Sequence, residues 1–181
     1  CSDFYPSGMF SNFGQNIGSI YMDHMFRKAT SFNFDIGNWD TSSVVSMSHM
    51  FRGATDFDQN INTKSVTVGG VTYNAWDTSS VADMQYMFSS EVDFGYTSEV
   101  MIFNKPIGNW NTSSVTDMRY MFTYATTFNQ NINTKSVTVG GVVIYAWETI
   151  NVTNMNSMFA HATAFNLDID NWNVSNVTTM S

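Results

Sequence analysis

The chain has 181 residues, 43% of them hydrophobic, which is enough for one sizeable core or a short repeat array. A formal charge of −8 with only 7 Lys and Arg residues argues against nucleic-acid binding, because neutralising phosphates requires basic side chains. No apolar run reaches the roughly 18 residues of a membrane span, and a single Cys cannot form an internal disulfide.

An internal repeat explains the unusual composition, which has 13 Met, 15 Phe and 5 Trp against a single Leu. The pair Met-Phe recurs along the chain, and most pairs complete the pattern Trp-x4-Val-x2-Met-x2-Met-Phe. A further Phe follows six residues later, at Phe32, Phe57, Phe94, Phe128 and Phe165. We therefore predict that the repeated apolar residues form the core, represented by Trp39, Trp76, Trp110, Trp147, Met50, Met87, Met121, Met158, Phe57 and Phe128.

The first unit, which includes Phe13 and Met25, lacks the Trp, and the unit from Met25 to Met50 gives the basic length of 25 residues. Within each unit, Val, Met, Met and Phe at offsets 0, 3, 6 and 7 lie on one face of a short helix. The polar residue before each Val would then cap that helix: Ser43, Ser80, Ser114, Asn151 and Asn176. One of two extended segments, Phe-Asn-x-x-Ile or Trp-Asp-Thr-Ser-Ser-Val, supplies a strand.

These elements predict an α/β repeat solenoid, leucine-rich-repeat-like, with about six rungs of about 25 residues, each a short strand plus a short helix. Residues 1–181 would form this single solenoid, as a fragment of a longer array. Cys1 is then either a fragment boundary or a lipidated N-terminus. A polar column just after the Phe predicts a ladder of side-chain hydrogen bonds between rungs, formed by Asn33, Asp58, Asn104, Asn129 and Asn166.

Three insertions lengthen the later units. Two of them, at about 62–74 and 133–145, share the sequence Thr-Lys-Ser-Val-Thr-Val-Gly-Gly-Val and alternate around Gly-Gly, which predicts two β-hairpins. The third, at about 95–102, is shorter. Inserted loops on one face of a repeat array are often where binding occurs. The candidate binding residues are Val66, Thr67, Val68, Thr72, Tyr73, Val137, Thr138, Val139, Val143 and Tyr145.

The repeat resembles the BspA-like leucine-rich-repeat surface proteins, and more narrowly their mycoplasma-lipoprotein-associated repeat subgroup. Its clearest copy runs from Met121 to Ile132, Met-Phe-x2-Ala-x2-Phe-Asn-x-x-Ile, and the Thr-Lys-Ser-Val-Thr-Val-Gly-Gly-Val insertion is also similar. Pro106 and the pair Glu91-Val92 depart from the pattern. The resemblance implies an exposed or secreted protein used in adhesion or protein binding, and it supplies no catalytic residues.

Other chemistry has less support. His24 and His49 would stack as a metal pair or as part of a solvent-facing column, and no Ser, Cys or Asp recurs with a His as a catalytic triad would require. Five Asp residues could bind calcium or form ladder and turn hydrogen bonds: Asp35, Asp40, Asp77, Asp168 and Asp170. Thr columns, such as Thr41, Thr78, Thr112 and Thr149, are found in ice-binding solenoids but also suit strands. Four Asn-x-Ser/Thr sequons are potential glycosylation sites.

The sequence thus predicts a non-enzymatic protein at the cell surface or secreted, without a cofactor, that acts in adhesion or protein binding. Its partner would be a protein, a cell-surface ligand or copies of itself. The alternative is a structural building block of an extracellular fibre, sheath or virion appendage, and ice binding is the third hypothesis.

Overall fold

The computed structural model describes residues 19–90 and 100–181, and these residues form an all-β fold. The strands are β1 (Ile20–Tyr21), β2 (Val44–Ser46), β3 (Lys64–Val68), β4 (Val71–Ala75), β5 (Lys135–Val139) and β6 (Val142–Ala146). Strands β1 and β2 pair in parallel, whereas β3–β4 and β5–β6 are antiparallel hairpins. The predicted α/β leucine-rich-repeat-like solenoid is therefore wrong, because none of the described residues is helical.

Turns, and not a helix, produce the regular spacing of Val, Met and Phe. The amide of Met87 donates to the carbonyl of Met84 at 3.3 Å, three residues back, as in a turn. Tyr86 between them has a φ of 56°, a left-handed conformation that an α-helix excludes. Residues at the same position of other repeats share it: His24, His49, Tyr120 and Ser157. A period of three residues from successive turns resembles the helical period closely enough to mislead the sequence analysis.

Backbone hydrogen bonds run from each repeat to the next. In the repeat that contains Met87, the amides of Tyr86 and Phe88 donate to carbonyls of the following repeat, at Arg119 (3.0 Å) and Met121 (2.9 Å). Isolated parallel bridges continue the pairing of β2 along the chain, at Ser46–Asp83, Asp83–Asp117, Asp117–Asn154 and Asn154–Thr179. The repeats therefore stack in register, although each contributes little regular strand.

Four of the five residues predicted as helix caps have another role, since the described residues contain no helix to cap. The hydroxyls of Ser80 and Ser114 donate to backbone carbonyls of the preceding repeat, at Ser42 (2.9 Å) and Ser79 (2.6 Å). The side-chain amides of Asn151 and Asn176 do the same, both at 2.7 Å. These side chains join repeats to one another.

The core consists of aromatic columns that run through the stack. Trp39, Trp76, Trp110, Trp147 and Trp172 form one column with ring centroids 5.9–6.5 Å apart. In every Trp of this column except Trp39, the indole N–H donates to an Ile carbonyl at 2.8–2.9 Å. These donors therefore keep a hydrogen-bond partner inside the stack. In a second column Phe103 stacks between Phe57 (5.8 Å) and Phe128 (6.3 Å). Phe103 takes the place predicted for Phe94, which lies outside the described residues.

The predicted polar ladder is confirmed. The side-chain oxygen of Asn33 accepts the amide of Asp58 at 3.0 Å, and Asp58 accepts the amide of Asn104 at 2.9 Å. Asn104 and Asn129 continue the ladder to Asn166. Because each bond joins neighbouring repeats, the ladder fixes their register on the surface next to the Phe column.

Candidate functional site

Each hairpin is closed at its base by a hydrogen bond between a Thr and a Trp at equivalent positions. The hydroxyl of Thr63 donates to the carbonyl of Trp76 at 2.6 Å, and Thr134 donates to Trp147 at 2.5 Å. Each Trp has a positive φ, 50° and 52°, at the point where the chain re-enters the stack. At the tips, Gly69-Gly70 and Gly140-Gly141 all have positive φ, as a tight two-residue turn requires. The hairpins are therefore well-defined projections.

Each hairpin has two faces, because side chains alternate along a strand and paired residues share a face. We define the inner face of the first hairpin as Val66, Val68, Val71 and Tyr73, and its outer face as Ser65, Thr67, Thr72 and Asn74. In the second hairpin the inner face is Val137, Val139, Val142 and Ile144, and the outer face is Ser136, Thr138, Val143 and Tyr145.

The inner face of the first hairpin is attached to the stack by Tyr73. Its hydroxyl donates to the carbonyl of Asn38 at 2.5 Å, and the residue is half-buried. Burial, and secondarily the charge of Asp40, raises the pKa of the Tyr73 phenol above its ordinary value. The neutral phenol is therefore the form that holds this hairpin in place.

The two hairpins contact each other. A Cβ atom at Gly140, in the turn of the second hairpin, would lie 2.8 Å from Oδ1 of Asn74 and 3.7 Å from Cβ of Ser65. The turn of the second hairpin therefore lies on the outer face of the first. By contrast, a Cβ at Gly69 or Gly70 would meet nothing within 4 Å.

The candidate binding residues differ in exposure. Half-buried are Val66, Tyr73 and Val137, and exposed are Thr67, Val68, Thr72, Thr138, Val143 and Tyr145. Val139 is only 5% exposed and cannot contact a partner without rearrangement. Val143 and Tyr145 are the most accessible large apolar members, at 64% and 66%. Val143 and Tyr145 thus form an accessible apolar pair on the outer face of the second hairpin.

Sequence reasoning missed two exposed residues beside the turns, Val71 and Val142. They follow Gly-Gly directly, so each lies next to the turn of its hairpin. An apolar residue next to a projecting turn is the signal that could have identified them.

The residues predicted for the core lie in the stack. Trp39 is half-buried, and the others are buried: Trp76, Trp110, Trp147, Met50, Met87, Met121, Met158, Phe57 and Phe128. These side chains have structural contacts, and the buried ones are not accessible to a ligand at the surface.

The histidine pair belongs to a longer column. His24, His49, Tyr86 and Tyr120 stack with ring centroids 4.5 Å apart, and Arg52 lies 4.7 Å from the Tyr86 centroid. In the described part of the chain, no three His, Cys, Asp or Glu residues are grouped as a metal site would require. Asp40 and Asp77, considered for calcium, accept amides of their own turns at 3.0–3.1 Å.

The Thr residues two positions after Trp39, Trp76, Trp110 and Trp147 are buried. Thr41, Thr78 and Thr112 donate to carbonyls of the next repeat at 2.8–2.9 Å, and Thr149 does so at 3.0 Å. A buried hydroxyl cannot bind an ice surface, so this column gives that hypothesis no support. The described residues also contain no helix long and apolar enough to cross a membrane.

The fold and the hairpins together define a class: an all-β repeat protein whose stacked turns project two related hairpins. Comparison with protein families places the chain more narrowly. Three segments, residues 9–74, 71–141 and 136–181, match a family model described as a Mycoplasma protein of unknown function, DUF285. The chain belongs to this family. No curated protein and no solved structure matches it.

Proposed function

We propose that this chain is a non-enzymatic protein, exposed at the cell surface or secreted, that acts in adhesion or protein binding through its hairpins. The main support is the outer face of the second hairpin, where Val143 and Tyr145 are both about two-thirds exposed. Grouped exposed apolar side chains are typical of interaction sites, and Tyr is enriched at interfaces.

The stack supplies a rigid base for that surface. Core aromatic columns, interrepeat backbone bonds and the Asn ladder hold each repeat against the next. A surface on a rigid scaffold loses little conformational entropy when it binds, which favours affinity. The hairpins would determine which partner is bound, and the stack would hold them in position.

The narrower family assignment is part of this proposal. The motif from Met121 to Ile132 and the shared hairpin sequence resemble the BspA-like surface proteins and their mycoplasma-lipoprotein-associated subgroup. Surface exposure and adhesion are what that resemblance implies.

The test removes the hairpins without breaking the repeat. Deleting 64–75 leaves Ile61-Asn62-Thr63 directly before Trp76, the spacing of Ile36-Gly37-Asn38-Trp39 in a repeat that lacks a hairpin. Deleting 135–146 does the same before Trp147. Labelled wild-type protein should bind a panel of cell and matrix surfaces, and the double deletion should reduce binding at least tenfold. Unchanged binding after deletion, or no binding by the wild type, would contradict the proposal, provided that urea unfolding shows both proteins folded.

A second candidate is a structural building block of a fibre, sheath or appendage. One observation favours it: neighbouring repeats present matching backbone donors and acceptors, as in the bonds from Tyr86 to Arg119 and from Phe88 to Met121. A stack built in this way can be extended by further repeats of the same kind. Electron microscopy over a wide concentration range should then show filaments, whereas particles of constant length would exclude this role.

A further inference from the structure

An open groove crosses three successive repeats of the stack. Its volume is about 560 Å³, within the range of ligand-binding pockets. Tyr21 and Asp23 line it from the first of these repeats, Ser46 and Ser48 from the second, and Asp83 from the third. None of the residues that line it belongs to a hairpin, so the groove is a candidate site separate from the hairpins.

The short side chain of Ser48 leaves room for the groove. The three following repeats have longer side chains at this position: Gln85, Arg119 and Asn156. The repeat of Ser48 has a neighbour on each side, since the Ser48 carbonyl accepts the amide of His24 at 3.0 Å and the amide of His49 donates to the Gln85 carbonyl at 2.9 Å. The opening therefore comes from the residues present and not from an end of the stack.

Ser48 also places an unpaired hydroxyl in the groove. The residue is only 7% exposed, and its backbone amide donates to the Asp23 carboxylate at 3.1 Å. Its hydroxyl makes no hydrogen bond within residues 19–90 and 100–181. Polar groups in such buried residues usually have a partner, because leaving them unpaired costs free energy. A bound ligand with a hydroxyl can supply that partner.

Two carboxylates in the groove are held in position and can accept further hydrogen bonds. Asp23 accepts the hydroxyl of Ser46 and the amide of Ser48 on the same oxygen, Oδ1. Asp83 accepts the backbone amide of Gln85 at 2.9 Å and its side-chain amide at 2.8 Å. A carboxylate has about four acceptor positions, so these bonds orient both groups and leave positions for a ligand.

Tyr21 gives the groove an aromatic surface. The residue is 65% exposed, and Val45 and Ala82 add small apolar side chains to the lining. A ligand that matches this lining has groups that both donate and accept hydrogen bonds, next to a flat apolar face. A sugar ring has both features, in its hydroxyls and in the C–H groups of its face.

We propose that this groove binds a neutral sugar residue of a glycan, whose hydroxyls bond to Asp23, Asp83 and Ser48 and whose apolar face packs on Tyr21. An anionic sugar is disfavoured, because the two carboxylates repel it and none of the described residues that line the groove is basic. A Lys or Arg side chain can pair with the carboxylates but cannot accept a hydrogen bond from Ser48.

Calcium fits the groove less well than a sugar. It takes six to eight oxygen ligands. In the part of the chain that the structure describes, no third acidic residue or His joins the two carboxylates as a metal site would require. Their oxygens already accept amide and hydroxyl donors, which a cation would have to displace.

A glycan array followed by calorimetric titration tests the proposal on the full chain. The probes are neutral oligosaccharides ending in glucose, galactose, mannose or N-acetylglucosamine, compared with sialylated and sulfated glycans and with a lysine-rich peptide. Ser48→Gln removes the unpaired hydroxyl and fills the groove with the side chain of the equivalent Gln85, so it should weaken binding of a neutral glycan by about tenfold or more. The matched control Asn156→Gln changes the equivalent position outside the groove and should bind like the wild type.

A second variant, Asp83→Asn, changes the charge of the groove and keeps its turn. Asn154 at the equivalent position accepts the amide of Asn156 at 3.0 Å, as Asp83 does for Gln85, so the fold tolerates Asn there. Binding should weaken, because hydrogen bonds to a carboxylate are stronger than those to a neutral amide. Asp117→Asn is its control, since Asp117 lies outside the groove.

Four outcomes would overturn the proposal: no neutral glycan binds, the anionic glycans or the peptide bind better, both groove variants bind unchanged, or the controls lose binding equally. Matching urea unfolding midpoints establish that the variants are folded. The experiment leaves the hairpins intact, so its failure would not affect the proposed function. Loss of surface binding after hairpin deletion would likewise not affect this site.

Discussion

At the scale of single residues, stability depends on side chains that bond from one repeat to the next. Thr112 is fully buried, and its hydroxyl donates to the carbonyl of Glu148 at 2.8 Å. The equivalent hydroxyls at other repeats make the same bond. A buried acceptor that loses its donor keeps the cost of desolvation, which makes such residues sensitive to substitution.

Thr112→Val should therefore lower the free energy of unfolding by about 1–3 kcal/mol. Thr116→Val is the matched control, since that hydroxyl is exposed and bonds to Ala82 at 3.2 Å, and it should cost under about 0.5 kcal/mol. Urea unfolding measures both. Equal losses at the two sites would show that burial of Thr112 does not matter.

Trp110→Ala should cost about 3–5 kcal/mol, because it removes a fully buried ring that stacks at 6.3 Å on both Trp76 and Trp147. Trp172→Ala should cost less, since that ring is half-buried. The same urea measurement applies. A loss below about 1 kcal/mol at Trp110 would mean that the ring is not part of a closed core.

Single residues were also the part that the sequence predicted best. The apolar columns and the polar ladder were identified because repetition alone shows which positions are equivalent. The role of each Thr after Trp was not evident, because a Thr side chain suits an exposed strand and a buried hydrogen bond equally well.

At the scale of elements, the predicted hairpins are present, whereas the short helix predicted in each repeat was wrong. A Gly-Gly pair between alternating β-branched residues is compatible with few structures other than a β-hairpin. By contrast, Val, Met, Met and Phe at offsets 0, 3, 6 and 7 fit both a helix and successive turns. The left-handed residues that decide between them, such as Tyr86 with a φ of 56°, are not glycines and give no signal in the sequence.

The attachment of the first hairpin should depend on pH. The pKa of Tyr73 is raised in the folded state, so its contribution to stability is complete below the unfolded value of about 10. That contribution is lost as the pH rises through the folded pKa. Unfolding in urea at pH 7, 9 and 10.5 should show a decline above pH 9 that is smaller in Tyr73→Phe. An identical decline in the two proteins would assign it to other groups, such as Tyr86, whose pKa burial also raises.

Close approach between repeats gives another prediction at this scale. A Cβ at Gly108 would lie 2.8 Å from the backbone carbonyl oxygen of Asn131. Gly108→Ala should destabilise by about 1–3 kcal/mol, because the backbone must move. Gly69→Ala has open space and should cost only the roughly 1–2 kcal/mol of its left-handed φ. If thermal unfolding shows Gly108→Ala to be neutral, the repeats are less closely packed than described.

At the scale of the whole molecule, the described repeats form one stack, without a helix among residues 19–90 and 100–181, and the hairpins project from it. Stacking itself could be expected, because a repeat of 25 residues cannot bury its own apolar face. The contact between the hairpins could not be expected, because it depends on how far each projects and in which direction. The same limit applies to the exposed pair Val143 and Tyr145. Alternation along the strand indicates that the two side chains share a hairpin face, but it does not indicate how exposed that face is.

Nuclear Overhauser contacts between side chains test this account most directly. The rings of Phe51, Phe88 and Phe122 come from three successive repeats and have centroids 5.6–5.7 Å apart. The account predicts contacts between Phe51 and Phe88 and between Phe88 and Phe122, without the continuous sequential amide contacts of a helix through 81–88. Helical amide contacts in that segment, with no contact between these rings, would contradict it.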